Sequence, residues 1–386
     1  MKAALIIIDG LGNIPGNSPL EKAHVPYLDE IAKKGRQGIF YSIGKGLVPG
    51  SDIAHLYIFG YDEKNYIGRG PLEALGLDIK LKHGDLAFRT NFAIVDNNIV
   101  IDRRAGRIKT EDAKKLEKKI GTFSIDGYEI QFKASTEHRG VLVIKGKGLS
   151  KDISPTDPGK DGMKLLKCMP LNKQAKKTAD IVNKAVNIIM GRLQNEKANA
   201  LLLRGPGMFK EEQNFYDKHG LNAEMIAGGA LYKGIARFVG MKAKNIKNAT
   251  GDIKSNYYEK AREAIKAKEM NDIVFIHVKA ADNFGHDGNE EGKIKAYEKI
   301  DRELIKHISN EFDAIIITGD HATPWQLKRH SAHGAIITAY GQSIGKDETK
   351  AFNEIEASKG SLQSIEKHEL INFVKDWINK SKKVGS

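Results

Sequence analysis

The chain has 386 residues, enough for one large core and a smaller unit at roughly 100 to 200 residues per domain. Hydrophobic residues at 40% and charged residues at 29% exclude wholesale disorder, and no apolar stretch approaches the roughly 20 residues of a membrane-spanning helix. The net charge of +13 would attract nucleic acid or small polyanions alike, but no zinc-knuckle, RNP-like or basic-aromatic pattern accompanies it, so nucleic acid is not an expected partner.

The first element is the apolar run Ala3–Ile8 (AALIII), a buried strand that Asp9 cuts short, which is too brief for a secretory signal. A helix is expected over Tyr27–Lys34. Next comes Val48-Pro-Gly-Ser51-Asp-Ile-Ala-His55, capping chemistry for a helix start that presents Ser51 at the helix N-terminus, where the macrodipole stabilises an alkoxide and a bound phosphate. From about residue 85 to 171 the pattern changes to short alternating pieces at Asn98–Asp102, Ile120–Phe132 and Gly140–Ile144. The loop Ser154–Gly162 (SPTDPGKDG) is too rich in Pro, Gly and Asp for a regular element. This stretch is expected to form a smaller α+β domain (85–171), inserted into a discontinuous larger one (1–84 and 172–386). Five of the 13 arginines, Arg89, Arg103, Arg104, Arg107 and Arg139, fall inside it. Guanidinium forks match carboxylate and phosphate oxygens, so their concentration there points to an anion site.

The single cysteine, Cys168, cannot form an internal disulfide, and a reducing cytoplasm is the expected setting. Beyond it, helices are expected over Lys173–Leu193, Ala230–Val239, Tyr257–Lys268, Glu290–Asn310 and Ser364–Ile378. They alternate with apolar runs at Ala198–Leu203, Ile273–Val278, Ala314–Thr318 and Ala335–Ala339. Strand and helix in alternation predict an α/β fold, a mostly parallel sheet flanked by helices.

Ligands in such sheets bind beyond the carboxyl ends of the strands. Here the first run ends in Asp9-Gly10, the Ile273 run in Lys279-Ala-Ala-Asp282 and then His286, and the Ala314 run in Gly319-Asp320-His321. One such Asp alone is more often a cap or turn residue. Three carboxylates at one edge would repel unless a cation neutralised them, and two of the strands add imidazoles. A cysteine-free Asp and His set suits Mn²⁺, Zn²⁺, Mg²⁺ or Co²⁺, with enough ligands for two ions. A metal touching the Ser51 hydroxyl would make it a usable nucleophile near neutral pH.

Asp9-Gly10, Pro49-Gly50-Ser51-Asp52, Asp282 to His286 and Asp320-His321 together resemble the signature of the alkaline phosphatase superfamily. Within it the chain is similar to the archaeal-type cofactor-independent phosphoglycerate mutases, through further matches at Phe88 to Ala93, Asp102 to Ile108, Glu137 to Gly140, Arg204-Gly205 and Thr318 to Ser331. The resemblance implies an alkaline-phosphatase-like core with one metal on Asp282, His286 and His330 and a second on Asp9, Asp320, His321 and the Ser51 oxygen, Mn²⁺ foremost. His330 and His333 both stand in the last ligand segment, and the Lys-x-His-Ser frame matches at His330. Arg89, Asp102, Arg103, Arg107, His138 and Arg139, with Lys279, would hold the glycerate and its phosphate. The implied reaction is interconversion of 2-phosphoglycerate and 3-phosphoglycerate through phosphoserine at Ser51, a step of glycolysis and gluconeogenesis. The alternative is a metal-dependent phosphomonoesterase or phosphodiesterase on the same core; a nucleic-acid-binding protein with a degenerate phosphatase fold is a more distant one.

Overall fold

Short Ile-, Val- and Leu-rich runs bury both faces of a strand, so they assemble where helices can cover a sheet on either side. The computed structural model of the chain describes residues 1–381. It divides into two compact units, residues 1–66 with 213 onward, and residues 67–212. Strands β1 (Ala3–Ile8) and β2 (Arg36–Tyr41) open the first unit. The second contains β3 (Leu86–Asp96), β4 (Ile99–Asp102), β5 (Phe123–Ile125), β6 (Tyr128–Ala134), β7 (Arg139–Lys145) and β8 (Ala200–Met208). The chain then returns to the first through β9 (Ala223–Ile226), β10 (Lys242–Ala243), β11 (Ile273–Val278), β12 (Ala314–Thr318), β13 (Ala335–Gly341) and β14 (Gln363–Glu366).

The first unit is built on an eight-stranded sheet in the order β10-β9-β11-β1-β12-β13-β2-β14. The central strands β11, β1 and β12 are buried at every residue, as their unbroken apolar runs require. Neighbours are parallel except around β13, which runs antiparallel to both β12 and β2. The expected α/β fold with a mostly parallel sheet is therefore present. The segment between β12 and β13 holds no helix, so the chain turns back instead of crossing over.

The helix expected over Tyr257–Lys268 spans those residues. The one from Glu290 runs to Ile300 and continues through a π-turn, Asp301–Ile305, to Ile308. At the C-terminus the sequence reading needs correction, because Ser364 to Glu366 belong to β14, parallel to β2, and the helix is Glu369–Trp377. A four-residue edge strand with Ile365 as its one buried residue leaves no periodic signal.

Lys260 lies in the core of this unit, 1% exposed, donating to the main-chain carbonyl of His277 on β11 at 2.9 Å. Burial pushes its ammonium down to about 7. The unfolded chain keeps that proton into the ordinary lysine range, whereas the folded protein releases it above about 7, so stability rises with pH from about 7 toward 10. Lys260→Met is expected to remove this rise. Between pH 6 and 9.5 the parent should gain about 3 kcal/mol over the variant in urea unfolding. Equal pH slopes in the two proteins would show that the amine is not depressed.

The second unit takes in 85–171 together with 67–84 and 172–212. Its six-stranded sheet has the order β4-β3-β7-β6-β5, with β8 also on β3, and every pairing is antiparallel. The apolar run at Ala198–Leu203 thus enters this sheet as β8 and not the parallel one; an apolar run says how buried a strand is, not which partner it takes. Helix Thr110–Ile120 lies inside the stretch that reads as strand-like, and with Lys176–Leu193 it contributes its apolar stripe to the core of this sheet.

Candidate active site

Because β11, β1 and β12 are adjacent and parallel, the residues that follow them emerge at one edge of the sheet. Asp9 follows β1, Asp320 follows β12, and Asp282 sits in the first turn of helix Ala280–Asp287 after β11. Gly10 permits the close approach: it has φ +70°, and a Cβ there would stand 2.8 Å from the Asp282 Cα.

Asp9 and Asp320 are fully buried, and each has one oxygen anchored and one bare. Asp9 Oδ2 accepts from Tyr232 Oη, from His277 Nε2 at 3.1 Å and from Lys279 Nζ at 2.9 Å. Asp320 Oδ1 accepts from the main-chain amides of Gly10 at 3.2 Å and His321 at 3.0 Å. Asp9 Oδ1 and Asp320 Oδ2 have no hydrogen-bond donor. Both face the Nε2 of His321, at 3.4 and 3.3 Å. Burial and the neighbouring Asp9 charge push the Asp320 carboxyl well above its usual range. Burial acts on Asp9 in the same sense, but Lys279, His277 and His321 outweigh it and hold that carboxyl well below.

The histidine tautomers follow from their second nitrogens. Thr323 Oγ1 gives its one proton to Asp282 Oδ1 at 2.8 Å, so at 3.1 Å it accepts from His321 Nδ1. His321 Nε2 therefore presents a lone pair to the bare carboxylate oxygens. His286 Nδ1 donates to the Lys328 carbonyl at 3.2 Å, and His330 Nδ1 to that of Pro49 at 2.8 Å. Their Nε2 lone pairs face Asp282 Oδ1, at 3.4 and 3.6 Å. The ring of His330 stacks on His321 with centroids 3.6 Å apart. Two groups of ligand atoms converge: Asp9, Asp320 and His321, and Asp282, His321 and His330. His286 joins the second through Asp282, while His333 is paired with Ser331 at 2.9 Å. The donor-free oxygens of Asp9 and Asp320, the Asp282 carboxylate and the Nε2 lone pairs of His321, His286 and His330 are the ligand types that divalent cations take, so these residues fit a metal.

Ser51 is the first residue of helix Ser51–Ile58, with Gly50 as its N-cap. Its Oγ donates to His321 Nε2 at 3.0 Å, the same nitrogen that the donor-free oxygens of Asp9 and Asp320 face. Below it His55, fully buried, donates from Nδ1 to the Ser51 carbonyl at 2.7 Å. Burial pushes that imidazole down to about 4, so it stays neutral. Lys279 lies in this cluster, bridging Asp9 and Asp282, whose Oδ2 it reaches at 2.8 Å.

In the second unit Arg89 on β3 lies opposite Arg204 on β8, and Asn91 lies opposite Arg139 on β7. Arg89 and Arg69 share Glu73, at 2.9 and 2.8 Å. Arg103 is held by Asp157 of the Ser154–Gly162 loop through two bonds, at 2.7 and 2.8 Å. Asp102 uses both carboxylate oxygens on the amides of Arg104 and Gly106, shaping the turn that carries Arg107. Arg104, Arg107 and Arg139 are exposed and have no ion-pair partner among the described residues. His138 is pushed down to about 4 by burial and then by Arg139, Arg104, Arg107 and Arg204. These residues thus form one electropositive patch.

The sequence reading passed over Thr323, Tyr232, His277 and Arg69. Only Thr323 left a local signal, two residues after His321.

A serine hydroxyl at a helix N-terminus, against buried carboxylates and imidazole lone pairs, is the equipment of metal-assisted phosphoryl transfer. Residues 32–199 match the family described as 2,3-bisphosphoglycerate-independent phosphoglycerate mutase. Over 100% of its length and 99% of the relative's, the chain is 40% identical to 2,3-bisphosphoglycerate-independent phosphoglycerate mutase 1 of Methanocaldococcus jannaschii. Among solved structures it is similar to the PH0037 protein from Pyrococcus horikoshii, with 33% identity and a TM-score of 0.85 over 100% of this chain and 99% of that one. It is also similar to the cofactor-independent phosphoglycerate mutase from Thermoplasma acidophilum, with 28% identity and a TM-score of 0.71 over 98% and 99%. The chain belongs to the 2,3-bisphosphoglycerate-independent phosphoglycerate mutase family.

Proposed function

We propose that this protein interconverts 2-phosphoglycerate and 3-phosphoglycerate through a phosphoserine at Ser51, using two divalent metal ions, Mn²⁺ foremost. The observation that carries the reading is the contact of Ser51 Oγ with His321 Nε2 at 3.0 Å, beside two carboxylate oxygens that lack donors. Family membership points the same way. Asp9, Asp320, His321 and Ser51 Oγ would hold one ion, and Asp282, His286 and His330 the other. Bound there, such ions supply positive charge that favours the serine alkoxide and the phosphoryl oxygens.

In the first half-reaction Ser51 Oγ loses its proton and bonds phosphorus, the phosphorus–oxygen bond to glycerate breaks, and the departing oxygen takes up a proton. Glycerate then turns, its other hydroxyl gives up a proton and bonds phosphorus, and the phosphorus–oxygen bond to Ser51 breaks as Ser51 Oγ takes a proton back. Between these steps the dephosphorylated alcohol must be retained. Arg89, Arg103, Arg107, Arg139, Asp102 and His138 are assigned to that grip and to the phosphate, with Lys279 at the metal cluster. Arg107 and Arg139, exposed and without an ion-pair partner among the described residues, support it, since such a guanidinium can take a carboxylate.

A phosphomonoesterase or phosphodiesterase on the same core would need no such grip, and the arginine patch favours a mutase. Incubation with 3-phosphoglycerate and Mn²⁺, without 2,3-bisphosphoglycerate, should give 2-phosphoglycerate by ³¹P NMR. Free phosphate as the main product would mean a hydrolase, and no reaction would sink the proposal. Arg107→Ala should raise the ratio of free phosphate to 2-phosphoglycerate about tenfold, as one charge-assisted contact to glycerate is lost. A fall of both products in parallel would assign Arg107 to phosphate binding instead. No helix among the described residues is long and apolar enough to cross a membrane, and the lone, buried Cys168 fits a reducing cytoplasm.

A further inference from the structure

Two buried residues outside every ligand set described above converge on one oxygen of Asp9. Tyr232, 4% exposed on helix Ala230–Phe238, donates its phenolic proton to Asp9 Oδ2. His277, 1% exposed near the end of β11, donates from Nε2 to the same oxygen at 3.1 Å. Their rings are stacked, with centroids 3.5 Å apart and planes 23° apart, so neither can swing without displacing the other. Each is supported in turn. Gly229 lies against the Tyr232 ring, where a Cβ would approach to 2.9 Å, and Lys260 holds the His277 carbonyl at 2.9 Å.

We propose that Tyr232 and His277 are positioning residues that select the ligating oxygen of Asp9, saturating Oδ2 so that Oδ1 alone is presented to a metal. A carboxylate free to rotate can offer a cation either oxygen or both. With Lys279 added, Oδ2 accepts three donors, whereas Oδ1 has none and faces His321 Nε2. Outer partners of this kind set ligand geometry and are typically worth about ten- to a hundredfold in metal affinity.

This inference rests on the two-metal reading, and titration of the metal-free protein with Mn²⁺ alone separates the two. The parent should bind two ions by calorimetry; a parent that binds none would sink the reading itself. Tyr232→Phe removes the hydroxyl and keeps the ring, and His277→Phe removes the donor and keeps the stack. Each is expected to weaken one of the two Mn²⁺ sites about tenfold to a hundredfold, to leave the other within about threefold, and to keep the melting temperature of the metal-free protein near that of the parent. Parent-like affinity at both sites, with or without a lower melting temperature, would reduce the pair to core packing. If one variant does not fold, the other decides the question by the same criteria.

Discussion

His321→Ala is expected to strip the protein of metal at the Asp9 and Asp320 carboxylates and to lower phosphoryl transfer by at least about a thousandfold, on the order of 4 kcal/mol in the barrier. This residue is singled out because it stands in both convergent groups, with Asp9 and Asp320 and with Asp282 and His330. Its Nε2 is the point on which two bare carboxylate oxygens and the Ser51 hydroxyl meet, and its ring is the surface on which His330 stacks. Removing it also leaves Asp9 and Asp320 facing each other across a cavity. Elemental analysis after dialysis, run beside the activity assay, checks the prediction. A variant that retains two ions and the parental rate would place the chemistry elsewhere.

Ser51→Ala should be equally severe for turnover and mild for everything else. Loss of the nucleophile is expected to cost at least about 10⁴-fold in rate, because the remaining groups can bind the phosphoryl group but cannot accept it. The hydroxyl makes one hydrogen bond, to His321, and Ser51 is the first residue of its helix with Gly50 as the cap. The fold should therefore survive, and metal content should change little. Acid quenching of the parent with labelled substrate should place phosphate on Ser51. Label on another residue, or an active alanine variant, would overturn the covalent route.

Much of the catalytic edge was legible because its signals are local. A fully apolar strand followed at once by Asp-Gly, or by Gly-Asp-His, states both where the strand ends and what it presents. The short alternating pieces of the second unit said only that strands were present. Helix Thr110–Ile120 was missed for a related reason: three buried residues, Ala113, Leu116 and Ile120, in a segment crowded with lysine and glutamate leave a narrow stripe.

The sequence by itself determined the buried central strands, the carboxylates and imidazoles at their ends, the serine at a helix start and the local excess of arginine. Each depends on neighbours a few residues apart, which is the range over which hydrophobic period and capping chemistry act. Tertiary structure decided that β8 joins the antiparallel sheet and that β13 reverses direction, since an apolar run carries no record of its partner. It also decided the state of the site. Which Asp9 oxygen is bare depends on Tyr232 and His277, more than two hundred residues away in the chain. Which nitrogen of His321 holds the lone pair depends on whether Thr323 gives its proton to Asp282. Hydrogen bonds to a shared atom are settled only when the groups are brought within about 3 Å, and only the folded chain does that.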